Sequence, residues 1–315
     1  SYIAYNHTYA TSGTFTATLT VGAESATVKL RVYDAALMSP SDLRNLNVNR
    51  AIENGLRFLW VSQASRAANF PAGTTTSWPT DFETDVASFV VLSFQNNGYR
   101  LPNSNAAPTG IYQKYIVQRA INFLFSHLEE RQLNVQYGGH DPCVGTGIEA
   151  APCVGYSPDD GDAGYSTAVV SLSLASSGAL TRVAGSYGPV SGKSYGEVLQ
   201  RLVNGIAWGQ IDGDANCNGR GGWTYAFKDD PCDSSDGSAV GWNLLALMDS
   251  KATGITVPAF VEPEFSNFAL PNGLNSSSDL RVDGTFDYSS DADPSAASGP
   301  NVAKTAIGMQ GLFFS

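Results

Sequence analysis

Residues 204–247 read NGIAWGQIDGDANCNGRGGWTYAFKDDPCDSSDGSAVGWNLLAL, and the order of segments in this stretch recurs along the chain. An amphipathic helix ends near Gln210, a loop rich in Gly, Asp and Asn follows, and an apolar helix with small residues begins after Asp236. Residues 41–98 and 112–178 repeat this order. The pattern therefore predicts an internal repeat of helix, long loop and helix.

The apolar helices predicted at 84–98, 165–178 and 238–254 share a register of small residues. Small side chains at matched positions let helix backbones approach closely, so these helices are expected to form an inner layer covered by the amphipathic ones. A fourth unit begins at 257–270 and continues to 301–315, which gives about four helical hairpins and a mainly α protein. The matched positions are Ser88, Ala168 and Gly241, and five residues later Ser93, Ser173 and Ala246.

A family resemblance rests on the third unit. Gln210, the Gly-Gly-Trp-x-Tyr run that ends at Tyr225, and the acidic loop before a small-residue helix resemble the prenyltransferase and squalene-oxidase repeat. Residues 55–63 and 283–288 match this repeat in part. The resemblance implies an α/α toroid of helical hairpins over residues 39–315, as in terpenoid cyclases, protein prenyltransferases and complement-like thioester domains. With about four hairpins, we expect an open toroid or a continuation in a longer polypeptide.

The first residues alternate apolar and polar side chains. Residues 13–21 and 26–33 have the period of two that is typical of strands, and the turn between them predicts an antiparallel hairpin, with a third short strand at 2–9. The run HTYATSGTFTATLTV at 7–21 resembles the closing strands of a PKD-type immunoglobulin-like domain. Residues 1–35 are therefore interpreted as an incomplete PKD-like β segment, which other strands or another subunit must complete.

The composition excludes some function classes. The chain has 315 residues, with 18 Lys and Arg against 29 Asp and Glu and a formal net charge of -11, which opposes binding to nucleic acid. No apolar run reaches the roughly 18 residues of a membrane span, so no transmembrane segment is predicted. Charged residues make up only 15% of a chain rich in Gly, which favours an extracellular or cell-surface location.

The four cysteines form two pairs that are close in sequence, Cys143 with Cys153 and Cys217 with Cys232. Pairs within loops favour two local disulfides, although four cysteines allow three connectivities. A zinc site is the alternative, but no C-x-x-C is present and the three histidines form no H-x-x-x-H pattern.

The acidic loop also contains half of a calcium motif. Asp214, Asn216, Asn218 and Gly219 follow the start of a calcium loop, whereas Tyr225 replaces the acid expected at the twelfth position. Further oxygens from Asp212, Asp233 and Asp236 are needed to complete a structural Ca²⁺ site. The alternative is a solvated acidic loop with an Asn-Gly turn.

Catalytic motifs of the resembled families are not intact. The acidic runs at 159–162, 212–214 and 291–293 are not the D-x-D-D of the cyclases, and the prenyltransferase zinc ligands and the thioester sequence are also missing. General hydrolase and nucleotide-binding motifs are absent as well. Four aromatic residues either line a ligand cavity or pack the hairpins, namely Trp208, Trp223, Tyr225 and Trp242.

These observations favour a non-catalytic structural or adhesive module of a large extracellular protein or filament. Its β segment is expected to pair with a second copy or with other surface proteins. One alternative is a secreted enzyme whose toroid cavity cleaves a glycan or converts an isoprenoid. A glycan-binding module is a further alternative.

Overall fold

The computed structural model describes residues 7–63, 75–78, 81–148, 152–213, 217, 219–229, 232–269, 306 and 309. The chain divides into two compact units. The first comprises Ser1–Val61 with Ala67–Asn69, and the second comprises Ser62–Arg66 with Phe70–Ser315. Within the described residues the protein is helix-rich, with seven α-helices and two small antiparallel sheets of two strands each.

The first unit contains the predicted β-hairpin. Strands β1 (Gly13–Val21) and β2 (Glu24–Val32) pair in antiparallel register. The predicted third strand lies largely outside the described residues. A short 3-10 turn at Ala35–Leu37 leads to α1 (Pro40–Ser62), where the Ser39 hydroxyl accepts a hydrogen bond from the Asp42 amide at 3.2 Å. Serine is a preferred residue at such a helix start.

One face of the hairpin is apolar and largely exposed. Phe15 pairs with Leu30 and Leu19 with Ala26, so these side chains share one face of the two-stranded sheet, and threonines occupy the other face of β1. Leu19 is 56% exposed and Val28 is 55% exposed. The antiparallel hairpin predicted from period-two alternation is therefore present, and its turn is shorter than predicted because Glu24 pairs with Val21.

The second unit contains the remaining helices. Helix α4 packs against α2, α5 and α6, and α3 packs against α2. The apolar helices predicted from the repeat correspond to α2, α4 and α6, and α4 is buried along nearly its whole length. The helices are α2 (Glu83–Asn96), α3 (Gln118–Ser126), α4 (Ala163–Ala175), α5 (Tyr195–Trp208), α6 (Gly237–Ala252) and α7 (Val261–Ala269).

Buried glutamines connect successive hairpins. The Gln136 amide donates to the carbonyls of Trp208 and Gln210 at 2.9 and 2.8 Å, and the Gln210 amide donates to the carbonyls of Gly221 and Val261 at 2.9 and 3.1 Å. Gln136 thus satisfies two carbonyls of the next hairpin, and Gln210 satisfies one carbonyl of its own hairpin and one of the next. Equivalent positions of neighbouring repeats are in this way held in contact.

The second predicted amphipathic helix is shorter than its pattern indicated. The sequence predicts a helix over 112–130, whereas α3 ends at Ser126 and residues Leu128–Gln132 form β3, paired with β4 (Val154–Pro158). Tyr156 of β4 is fully buried, and β4 packs against α5. The helical period could not reveal this change, because the strand is stabilised by a partner more than twenty residues away.

Both predicted disulfides are present. Cys143 and Cys153 are joined in the connection between β3 and β4, with their Cα atoms 5.8 Å apart. Cys217 and Cys232 are joined in the loop between α5 and α6, with a Cα separation of 5.1 Å. Each bridge closes a loop that has little regular structure of its own.

Candidate functional site

Four aromatic side chains meet, three from the N-terminal halves of α2, α4 and α6 and one from the loop before α6. We call Phe89, Tyr165, Tyr225 and Trp242 the aromatic cluster. The ring centroids of Phe89 and Trp242 are 5.1 Å apart, those of Tyr165 and Trp242 are 6.2 Å apart, and Tyr165 stacks on Tyr225 at 5.5 Å. All four side chains are only partly buried. The cluster therefore forms a partly exposed apolar surface on the helical unit.

The repeat explains why these rings converge. Phe89 lies one helical turn after Asp85 on α2, and Trp242 lies one turn after Ser238 on α6. Residues four apart in a helix share a face, so each helix presents a polar group at its start and an aromatic ring one turn further. Since α4 packs against both α2 and α6, the rings of the outer two helices meet beside Tyr165 of the middle one.

A set of hydrogen bonds fixes Tyr225, which belongs to a loop. Its hydroxyl lies 2.6 Å from the Ser238 hydroxyl, and its carbonyl accepts a hydrogen bond from the Gly164 amide at 2.8 Å. Asp236 caps α6 by accepting hydrogen bonds from the Ser238 and Ala239 amides. A Cβ atom on Gly164 would lie 2.6 Å from the Ala226 carbonyl oxygen, so only glycine allows this close approach.

Three carboxylates lie at the N-terminal ends of α2 and α4, and we call Asp85, Asp160 and Asp162 the acidic cluster. The Thr84 hydroxyl donates to Asp160 Oδ2 at 2.6 Å. Asp85 is only 7% exposed, and its Oδ1 atom is buried without a hydrogen-bond partner, as is Oδ1 of Asp160. Among the described residues, no Lys, Arg or His forms an ion pair with any of the three.

The environment of Asp85 raises the pKa of its carboxyl group from 3.8 to about 6. Burial is the largest cause, because it disfavours the charged form. The Ser166 side chain opposes the shift, and the negative charges of Asp160 and Asp162 add to it. The hydrogen bond between Thr84, the neighbour of Asp85, and Asp160 holds the start of α2 next to the acidic run, which lies more than seventy residues away in sequence.

The aromatic residues singled out in the sequence separate into two groups. Tyr225 and Trp242 belong to the aromatic cluster. Trp223 is 2% exposed, donates its indole N–H to the Ile206 carbonyl at 2.8 Å and stacks on Phe265, so it packs the core. Trp208 packs against Phe227, with ring centroids 5.3 Å apart.

The residues of the predicted calcium loop are not brought together as far as they are described. Asp214, Asn216 and Asn218 lie outside the described residues. Asp233 forms an ion pair with Lys228 at 2.9 Å, while Asp236 caps α6. Asp212 is 1% exposed and accepts a hydrogen bond from the Gly138 amide at 2.7 Å, in the connection between β3 and β4. A structural calcium ion at this loop remains a prediction.

Asp212 takes part in a second group of charges. His140 lies between two carboxylates, with Nδ1 3.8 Å from Asp212 Oδ2 and Nε2 3.9 Å from Glu264 Oε1. Arg220 binds Glu264 through two hydrogen bonds of 2.9 Å, and Phe260 stacks on the imidazole. Burial raises the pKa of Asp212, and the hydrogen bond from Gly138 opposes this shift. These contacts connect α7 to the loops around it.

One group among the described residues has the spacing of a metal site, namely Asp141, Cys143 and Cys153. Its two sulfur atoms are joined to each other in a disulfide, so they are not available as thiolate ligands. The zinc alternative therefore has no support from these cysteines.

Sequence reasoning missed five residues of the site, namely Phe89, Tyr165, Asp85, Asp160 and Asp162. The sequence contained a signal for these residues. Each of α2, α4 and α6 has an acidic or hydroxyl residue at or just before its start and an aromatic residue within the next two turns. The acidic run at 159–162 was compared only with the cyclase motif, and its proximity to α2 depends on tertiary packing.

Comparison with protein families, curated proteins and solved structures gives no match for this chain. In the part of the chain that the structure describes, every helix is too short or too polar to cross a bilayer.

Proposed function

We propose that the protein is a non-catalytic adhesive module whose helical unit binds a glycan at the aromatic and acidic clusters. The proposal rests on one arrangement of side chains. Phe89 and Tyr165 both contact Trp242, and all three rings are partly exposed. Three carboxylates without cationic partners among the described residues lie beside these rings. A ligand for this surface must offer both an apolar face and hydrogen-bond donors.

Carbohydrates meet both requirements. The C–H face of a pyranose ring packs on an aromatic side chain, while its hydroxyl groups donate hydrogen bonds to carboxylate oxygens. The unpartnered Oδ1 atoms of Asp85 and Asp160 are acceptors that lack a donor. Asp160 and Asp162 are partly exposed, so sugar hydroxyls are able to approach their carboxylates and donate hydrogen bonds to them.

An extracellular location supports an adhesive function. Two disulfides in a chain of this size are typical of proteins that fold in an oxidising compartment. Glycans of cell surfaces and matrices are accessible ligands in that environment. The proposal keeps the PKD-like segment as a spacer or assembly element, as its resemblance implies.

We also propose that the helical repeats form an open α/α toroid with the aromatic cluster on its inner side. The support comes from α2 and α6, which both pack against α4 and also bring Phe89 and Trp242 into contact. A flat row of helices would separate the first and third members, so a curved arrangement accounts better for this contact.

Self-association through the β-hairpin is part of the proposal. Each strand of the hairpin has one edge without a strand partner among the described residues, and the apolar face with Leu19, Val28 and Leu30 is largely exposed. A second copy of the chain supplies an edge and a face with the same alternation, so pairing of two hairpins buries both.

A glycan array tests the binding function. We expect the wild-type protein to bind a subset of glycans and the Trp242→Ala variant to lose at least about tenfold in affinity, the loss of roughly 1.4 kcal/mol expected for a stacked ring. The Tyr137→Ala variant removes an aromatic ring that is 70% exposed outside the cluster and should bind as the wild type does. Equal binding by all three proteins, or no binding by any, would refute the proposal.

A second candidate function is glycan hydrolysis. It is favoured by Asp85, a buried carboxyl with a pKa of about 6 beside two further carboxylates, since such a group suits a general acid. Product analysis after long incubation with each bound glycan separates the two functions. Cleavage that the Asp85→Asn variant lacks would establish an enzyme, and intact glycan would leave the adhesive function.

A further inference from the structure

We propose that the site selects a positively charged glycan, one whose sugars carry free amino groups, over neutral and acidic glycans. This inference rests on the proposed glycan-binding function and specifies its ligand. It follows from the excess of negative charge at the site and from the aromatic rings next to it.

The charge of the site is not balanced by the protein. The Thr84 hydroxyl binds Asp160 Oδ2 at 2.6 Å, and the charges of Asp160 and Asp162 act on Asp85, the neighbour of Thr84. Within the described residues none of these three carboxylates has an ion pair, whereas surface acids such as Asp233 and Glu262 do. A buried or half-buried carboxylate without a counter-charge is costly, so the site is complementary to a cation.

The buried member of the group points to a ligand more directly. More than nine-tenths of Asp85 is buried, and its Oδ1 atom has no hydrogen-bond partner. Asp160 is partly exposed, but its Oδ1 atom also has no hydrogen-bond partner. An ammonium group donates up to three hydrogen bonds, so an amine is able to bind the partly exposed carboxylates of Asp160 and Asp162.

The aromatic cluster strengthens this preference. Tyr165 follows Asp162 by three residues at the start of α4, and Phe89 follows Asp85 by one turn on α2. A cation above an aromatic ring is attracted by the ring electrons, and the attraction grows when water is excluded. An amino sugar combines this cation with the apolar C–H face that the rings bind.

Acidic glycans are excluded by the same features. Uronic acids and sulfated sugars would bring further negative charge towards three carboxylates, and the protein already has a net charge of -11. A neutral acetamido sugar keeps the stacking contact but replaces the ammonium group by an uncharged amide. We therefore expect an amino sugar to bind more tightly than a neutral or an acidic sugar.

Calorimetric titration with two ligands that differ only in this group tests the inference. The probes are the β-1,4-linked hexamer of glucosamine and the same hexamer fully N-acetylated, titrated just above pH 6, where part of the amines is charged and Asp85 is mostly ionised. We expect the glucosamine hexamer to bind roughly tenfold more tightly, as one well-placed charged hydrogen bond allows. Asp162→Asn and Asp160→Asn should each reduce this ratio, because each variant should lower the affinity for the glucosamine hexamer more than the affinity for the acetylated hexamer.

A cationic peptide controls for general attraction to an acidic protein. Hexalysine carries a similar charge without sugar rings, and Asp159→Asn removes an exposed acid from the same loop. Selective binding of the glucosamine hexamer that depends on Trp242 and Asp162, but not on Asp159, supports the inference. Hexalysine binding with equal affinity would overturn it.

The remaining outcomes separate this inference from the proposed function. Equal or tighter binding of the acetylated hexamer, still dependent on Trp242, would overturn the charge selectivity and keep glycan binding. Failure of both hexamers, with a neutral glycan bound through Trp242, would do the same. If no glycan of any charge binds, both proposals fall.

Discussion

Phe89 of α2 contacts Trp242 of α6, with ring centroids 5.1 Å apart, although α4 packs against both of these helices. The contact joins the first and third of the apolar helices and lies next to buried Asp85. It makes the start of these helices the part of the molecule where ring surfaces and unpaired carboxylates coincide.

Replacement of Gly164 by alanine should displace the loop that holds Tyr225. The added Cβ atom would lie 2.6 to 2.8 Å from three carbonyl oxygens of residues 224–226, so the loop must move. We expect a loss of about 1 to 3 kcal/mol in unfolding free energy and weaker glycan binding. Gly161→Ala is the control, since a Cβ atom there meets nothing within 4 Å. Unchanged stability and binding in Gly164→Ala would contradict the role assigned to this close contact.

Replacement of Asp85 by asparagine should stabilise the protein at neutral pH. Because the folded-state pKa is raised from 3.8 to about 6, folding favours the protonated carboxyl; this contribution is complete below pH 3.8 and is lost as the pH rises through about 6. The variant should therefore gain about 2 kcal/mol over the wild type above pH 6, and less as the pH falls. Urea unfolding at a series of pH values measures the difference.

The exposed Asp159 provides the comparison for this measurement, because Asp159→Asn removes an acid from the same loop without removing a buried charge. It should show no comparable dependence on pH. Destabilisation of Asp85→Asn at neutral pH would mean that the ionised carboxylate is held by favourable contacts and not by burial against other acids.

Removal of the disulfide between Cys217 and Cys232 should lower the free energy of unfolding and leave the fold unchanged. The bridge spans 15 residues, and loop-closure entropy predicts a loss of about 3 kcal/mol for the double alanine variant. The bridge between Cys143 and Cys153 spans 10 residues and should contribute slightly less. Urea unfolding of both double variants, with circular dichroism as a check on helix content, tests this order. If the variant has less helix than the wild type in the absence of urea, the bridge is required for folding.

The hairpin should determine self-association. Val28 and Thr27 are neighbours in β2, but successive strand residues point to opposite faces, so only Val28 lies on the apolar face. Val28→Lys should shift the protein to the monomer in sedimentation velocity, whereas Thr27→Lys should leave the wild-type distribution intact. A wild-type protein that stays monomeric at high concentration would exclude this mode of assembly.

The sequence predicted the described helices, one of them too long, together with the β-hairpin and both disulfide pairs. These features depend on short-range information, namely the period of apolar residues, the turn at the hairpin and the position of cysteines within one loop. Each of these elements is specified by residues near in the chain, so one sequence was enough.

Only the tertiary structure decided where the site lies. Asp85, Asp160 and Trp242 belong to three repeats, and their proximity depends on how α2, α4 and α6 pack. The same packing buries Asp85 and raises its pKa, turns Tyr225 into a ring of the cluster and leaves Trp223 in the core. Tertiary pairing with β4 also explains why β3 forms where the sequence predicted the end of a helix. These outcomes depend on burial and on contacts between distant residues, which the period of a sequence does not encode.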